Sequence, residues 1–234
     1  MKPYQGILAF IGYLVLQIIV SARISMDYCE VISGIIALIA FGWLLHKKKM
    51  LPMSSRDLKG SRLLFCLGIG FGLALVSKTA IVLGVLSGAP IPERFLPDGF
   101  LWIPTVVVLI PIVEELLFRG ILFGSFCRSF SYKAAIVLSA ILFAMVHYMV
   151  SWPSAFVIGV LLAWLYWRTD NLAVAMVIHC TINLGTFLSM PLYALLTTHR
   201  TIGVAVCLLV VLVGIWITDL STKMFLQKHD ADNV

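Results

Sequence analysis

The chain has 234 residues, of which 61% are hydrophobic and 12% are charged, and its mean hydropathy is +1.04. Soluble domains carry about 25% charged residues, so this composition excludes a soluble enzyme and indicates a polytopic membrane protein. The net charge of +6 does not indicate a nucleic-acid partner, because the basic residues lie in short connections between apolar segments. We therefore predict an all-α bundle of transmembrane helices that forms a single integral membrane domain over residues 1–234.

Eight apolar segments predict about eight transmembrane helices. In chain order they cover residues 5–22, 31–46, 63–86, 101–127, 133–150, 154–168, 171–190 and 202–219. The first segment ends on a sequence that resembles a signal-peptide cleavage site, but its positive charge is minimal, and we predict a retained helix. The five cysteines are scattered without a CxxC pair, and we predict that all of them are buried as small hydrophobic residues.

The distribution of basic residues predicts that both termini are cytoplasmic. This orientation leaves only Arg23, Arg94 and Arg200 on the opposite side of the membrane. Short cytoplasmic loops of membrane proteins carry an excess of lysine and arginine. The cytoplasmic side then receives the 47–62 loop, Arg128, Lys133, Arg168, Lys223 and Lys228.

Polar residues interrupt the apolar segments at three places. An ionised side chain at the middle of a bilayer costs roughly 2.5–3.5 kcal/mol on insertion scales, so such residues are expected to be functional. With a helical rise of about 1.5 Å per residue, the three places lie at similar depths near the middle of the bilayer. The residues concerned are Glu114, Glu115, Arg119, His147, His179 and Asn183.

These residue types are suited to activating a water molecule. A carboxylate beside an imidazole in a low-dielectric cavity can take a proton from water, and further N–H groups can stabilise an oxyanion. Glu115 and Arg119 have i,i+4 spacing and are predicted to pair, which leaves Glu114 as the base. Glu115 as the base is the alternative.

Two further interpretations concern metal and charge. Two histidines and a glutamate, with water in the fourth position, form the ligand set of several catalytic zinc sites, so a zinc-dependent membrane protease is an alternative. Lys78 is another intramembrane charge. We predict that its long side chain extends toward the membrane interface rather than contacting a substrate.

The motifs resemble those of the CAAX protease and bacteriocin-processing family (CPBP or Abi), the intramembrane glutamic endopeptidases that include the Rce1-type CAAX prenyl proteases. That family carries Glu-Glu-x-x-x-Arg, Phe-x-x-x-His and His-x-x-x-Asn in this order, and this chain matches them at residues 114–119, 143–147 and 179–183. The resemblance covers residues 104–185, which we predict to be the catalytic core. Residues 1–100 are then accessory transmembrane helices.

The resemblance implies roles for individual residues. Glu114 and His147 would activate water, His179 and Asn183 would line the oxyanion hole, and Glu115 with its arginine partner would support the site. No metal or other cofactor is implied.

At the level of the whole protein, the resemblance implies an endopeptidase that cleaves a peptide or membrane-protein substrate at a site open to the cytoplasm. We expect a prokaryotic plasma membrane, and the sequence does not indicate an oligomeric state. A non-proteolytic immunity or scaffold protein of the same fold is an alternative. So is a proton-coupled transporter that uses the same acids and histidines as a relay.

Overall fold

The computed structural model describes residues 1–89, 100–101 and 103–231, apart from the side chains of residues 26 and 27. Arg94 lies outside the described residues. Within them the chain is helical and contains no strand, as the composition predicts. The helices are α1 Pro3–Ser21, α2 Met26–Lys48, α3 Ser61–Leu86, α4 (residues 103–126), α5 Tyr132–Met145, α6 Trp152–Thr169, α7 Leu172–Leu184, α8 Ser189–Thr198 and α9 Arg200–Ala231.

Three of the predicted segments differ clearly from the structure. The eighth, residues 202–219, is longer than predicted, since α9 continues to Ala231. The seventh, residues 171–190, is not one helix: α7 ends at Leu184, a 3₁₀ turn follows over Gly185–Leu188, and α8 continues from there. The fifth, residues 133–150, is shorter than predicted, since α5 ends at Met145. His147 therefore lies beyond the end of α5 and not inside a helix as predicted. Across the described residues, six helical runs are long and apolar enough to span a bilayer.

The amino terminus and the end of α9 lie at the same end of the bundle, which we call the basic end. The amino-terminal nitrogen lies 3.8 Å from Met50 Sδ, after α2. Asp57, before α3, accepts hydrogen bonds from Arg62, from Asn171 at the start of α7 and from His229 near the end of α9, each at 2.9 Å. Burial alone would raise the pKa of Asp57, but the bonds from Asn171 and His229, with the Arg62 charge, hold that pKa below its ordinary value.

The cysteine prediction is correct for three residues and wrong for one. Cys29, Cys66 and Cys207 are buried, and Cys180 is half-buried. Cys127 is exposed, because it follows the last residue of α4 at the basic end.

Close contacts between small residues fix α3 in the bundle. A Cβ added at Gly72 would lie 2.6 Å from the carbonyl oxygen of Gly214 on α9. One added at Gly70 would lie 2.5 Å from the Cβ of Thr181 on α7. Small residues let helix backbones approach in a bilayer, where dispersion and not water exclusion drives their association. This packing sets the position from which α3 contributes a side chain to the site described below.

We expect Gly72→Val to lower the free energy of unfolding by about 2 kcal/mol, because overpacking a tight contact costs roughly 1–3 kcal/mol and a backbone carbonyl cannot rotate away. The matched control is Gly12→Val on α1, where an added Cβ meets nothing within 4 Å. Thermal unfolding of both variants in detergent measures the difference. Equal losses of stability in the two variants would contradict this packing.

Candidate active site

The acidic pair lies in the middle of α4, on a short α-helical stretch, Ile110–Glu115. Stretches of π-helix lie on both sides of it, over Ile103–Leu109 and Leu116–Phe123. π-Helical turns are rare in proteins and occur frequently at functional sites. Nothing in the residue pattern of α4 predicts them.

A proline explains how Asn183 is held. In the i→i+5 register of the first π stretch, the carbonyl oxygen of Val106 would accept a hydrogen bond from residue 111, but Pro111 has no N–H. Asn183 Nδ2 donates to that oxygen at 2.9 Å instead. The amide of Asn183 therefore supplies the bond that Pro111 removes and joins α7 to α4, which leaves one of its two N–H groups for another acceptor.

Glu115 is enclosed in the protein, with no exposed side-chain surface. Its Oε1 accepts from Arg119 Nη1 at 2.7 Å and from His179 Nδ1 at 2.7 Å. Arg119 also donates to the carbonyl oxygen of Gly159 at 3.3 Å and lies over the ring of Phe143, 4.5 Å from its centroid. The pairing predicted from the i,i+4 spacing is confirmed.

His179 lies between the two glutamates. A carboxylate only accepts hydrogen bonds, so Nδ1 carries a hydrogen and donates to Glu115. Nε2 lies 3.6 Å from Glu114 Oε2, which is too long for a hydrogen bond. Both ring nitrogens are therefore directed at glutamates, and the oxyanion role that the resemblance implies for His179 stays a prediction.

His147 is positioned by the end of α5. Its Nδ1 lies 2.7 Å from the carbonyl oxygen of Phe143, one of the last carbonyls of the helix, which lack a partner within it. Because a carbonyl only accepts, Nδ1 carries the hydrogen and a neutral ring keeps the lone pair on Nε2. The indole of Trp152 donates to the His147 carbonyl at 2.8 Å. His147 is therefore oriented with one ring nitrogen available as a base.

A cavity of about 180 Å³ joins these groups, with Glu114, His147, Asn183 and Lys78 in its wall. The side chain of Glu114 is 13% exposed, whereas Glu115 is fully enclosed. A neighbouring cavity of about 80 Å³ is lined by His179 and shares three of these residues. The fold therefore brings the three predicted sites together, as their similar depths suggest. The cavity wall also includes Lys78, whose side chain was predicted from the sequence to extend toward the membrane interface.

The cavity lies away from the basic end. Its wall includes Tyr148 and Ser151 in the connection between α5 and α6, and Tyr148 is 43% exposed. A Cβ added at Gly84, near the end of α3, would touch Val150 in the same connection. The amino terminus and the end of α9 lie toward the opposite end of the bundle.

Among residues 1–89, 100–101 and 103–231, no group of three or more His, Cys, Asp or Glu side chains is arranged to hold a metal ion. Such a group is the ligand set that the zinc alternative requires.

A family model described as "Type II CAAX prenyl endopeptidase Rce1-like" matches residues 96–185. Over this segment the chain is similar to the Rce1-like CAAX protease family. The segment contains all six predicted site residues and excludes Lys78 on α3. This similarity and the six helical runs that could span a bilayer together identify the chain as an integral membrane protein.

One curated relative is similar to part of the chain. The chain is 33% identical over 79 residues to the UPF0177 protein YxdF of Lactococcus lactis subsp. lactis (strain IL1403). The match covers 33% of this chain and 43% of the relative, so the chain spans less than half of that protein. No solved structure matches the chain significantly.

Proposed function

We propose that the protein is an intramembrane endopeptidase that hydrolyses a peptide or membrane-protein substrate with a water molecule activated by Glu114 and His147, without a metal ion. The observation that carries this proposal is that Glu114, the accessible member of the acidic pair, shares one cavity with His147. The Rce1-like family match supports peptide hydrolysis as the reaction. Glu115 is a poor candidate for the base, because its side chain is enclosed and accepts hydrogen bonds from Arg119 and His179.

In the proposed reaction, water binds between Glu114 and Nε2 of His147. Glu114 is the base that takes a proton from this water as its oxygen attacks the scissile carbonyl carbon, and His147 orients the water. The remaining N–H of Asn183 donates to the oxyanion that forms. The C–N bond then breaks, and the proton passes from the base to the leaving amine. Arg119, His179 and Glu115 act as positioning residues, because none of them lines the cavity that Glu114 and His147 share, although His179 lines the neighbouring one.

A mass-spectrometric survey of new peptide termini tests the proposal. Membranes that contain the wild-type protein are compared with membranes that contain Glu114→Ala at equal expression. Asp219→Asn, which removes an exposed carboxylate on α9, is the matched control. We expect a set of termini that is present with wild type and Asp219→Asn and absent with Glu114→Ala.

Two results would contradict the proposal. Termini that persist with Glu114→Ala would show that Glu114 is not the base, and identical termini in all membranes would favour a binding role such as immunity. The same survey with a zinc chelator tests metal independence, because loss of the wild-type termini would favour the zinc alternative.

We propose a prokaryotic plasma membrane as the location, with cytoplasmic termini. The basic end carries most of the short-loop lysines and arginines, and the similar protein YxdF is from the bacterium Lactococcus lactis. The cavity then opens away from the cytoplasm. A membrane-impermeant maleimide added to intact cells is expected to label Met149→Cys, at an exposed position between α5 and α6. Cys127, exposed at the basic end, is expected to react only after permeabilisation.

Cys127→Ser serves as the background for Met149→Cys, so that each label has one source. The reverse pattern of labelling would place the termini outside and the cavity on the cytoplasmic side. Labelling of both positions from one side would contradict the fold, which places them at opposite ends.

A further inference from the structure

Lys78 is a charged residue of the cavity that the proposed reaction does not use. It lies on α3, outside the family-matched segment, and lines both cavities together with His147 and Asn183. Of the residues that line the larger cavity, Lys78 is the only lysine or arginine. In the described part of the chain, its ammonium forms neither an ion pair nor a hydrogen bond.

An ammonium group in a low-dielectric cavity is unfavourable unless an opposite charge lies beside it. Glu114 lines the same cavity but forms no ion pair with Lys78. The two opposite charges therefore face one space without neutralising each other. An anion bound beside Lys78 would give its ammonium the opposite charge that it lacks.

The polar groups near Lys78 suit a carboxylate. The hydroxyl-bearing residues Ser151, Thr186 and Ser189 line the same cavity, and hydroxyl groups can donate to carboxylate oxygens. Lysine presents a compact charge with three donors that adapts to an anion in several orientations. Carboxylates are the anions that an unmodified peptide carries.

On this basis we propose that Lys78 binds a carboxylate of the peptide substrate and so selects peptides that carry a carboxylate close to the scissile bond. The inference rests on the proposed peptidase function. The carboxylate comes either from the carboxyl terminus of the substrate or from an Asp or Glu side chain, and both have the same chemistry at Lys78.

Matched synthetic peptides test this inference. They span a cleavage site found in the terminus survey and are made in three forms: unchanged, with an amidated carboxyl terminus, and with amides in place of acidic side chains. The wild-type protein is expected to cleave one of the two amide forms with a kcat/KM about 10²-fold lower than the unchanged peptide, mainly through KM. The form that loses activity identifies the source of the carboxylate.

Lys78→Met keeps a long unbranched side chain and removes the charge. It is expected to lower kcat/KM for the unchanged peptide by about 10²-fold. It is expected to leave unaffected the kcat/KM of the amide form that the wild-type protein cleaves poorly, so that the preference for the carboxylate over the amide disappears. Lys78→Arg keeps the charge and is expected to retain most of the preference. Lys59→Met, which removes an exposed lysine before α3, is the control for loss of positive charge.

The outcomes separate this inference from the proposed function. An unchanged preference in Lys78→Met, with thermal stability equal to wild type, would overturn it. So would an equal fall in kcat on all three peptides, since Lys78 would then act on the reaction itself. If no peptide is cleaved by the wild-type protein in a Glu114-dependent way, the proposed function fails instead.

Discussion

Glu114→Gln is expected to lower kcat for a cleaved peptide by about 10²–10⁴-fold, because an amide cannot accept the proton of the attacking water. The side chain keeps nearly the same shape, and its closest charged neighbour, His179 Nε2, is 3.6 Å away. No short hydrogen bond to Glu114 is lost. KM and the thermal midpoint are therefore expected to remain close to wild type.

Steady-state kinetics on peptides from the terminus survey, with purified protein in detergent or lipid, measure this effect. Asp219→Asn again serves as the control, because its carboxylate is 58% exposed, pairs with Lys223 and does not line the cavity. Glu114→Gln with wild-type kcat would exclude Glu114 as the base. A fall in kcat accompanied by a large loss of stability would assign Glu114 a structural role instead.

Arg119→Met is expected to lower the free energy of unfolding by about 3–5 kcal/mol, because it leaves the enclosed carboxylate of Glu115 without its arginine partner. The side chains of Arg119 and Glu115 are 1% and 0% exposed, and the two charged groups are 2.7 Å apart. Solvent therefore cannot replace the lost positive charge. The double variant Glu115→Gln with Arg119→Met removes both charges and is expected to be more stable than Arg119→Met alone.

The chain offers a matched control for this prediction. Lys223 and Asp219 on α9 have the same i,i+4 spacing and a 2.6 Å contact, but their side chains are 68% and 58% exposed. Lys223→Met is expected to cost at most about 1 kcal/mol, as exposed pairs do. Thermal unfolding of these three variants and the wild-type protein measures both losses, and similar costs for the buried and the exposed pair would contradict the expectation.

The sequence predicts most of the site because charge is rare in an apolar chain. Glu114, His147 and His179 are conspicuous in hydrophobic segments, and helical rise places them at similar depths. The i,i+4 spacing of Glu115 and Arg119 similarly predicts their ion pair, which the structure confirms. Local spacing is sufficient for these predictions, because neighbours on one helix face meet whatever the tertiary fold.

Contacts between helices could not be predicted in the same way. The interaction of His179 with both glutamates depends on how α7 packs against α4. His179 and Glu115 are 64 residues apart in the chain. The role of Asn183 depends on a π-helical register in α4 that leaves the Val106 carbonyl free at Pro111. Neither register nor packing angle is encoded in a hydrophobic pattern.

By itself, the sequence determined that this chain is a membrane bundle and which residues are chemically important, because burying charge in a bilayer is unfavourable wherever the helices lie. The tertiary structure alone decided three other features. It enclosed Glu115 and left Glu114 accessible, it placed Lys78 in the cavity wall, and it put the cavity at the end opposite the termini. These features depend on which helix faces meet, and close contacts such as Gly72 with Gly214 fix that arrangement.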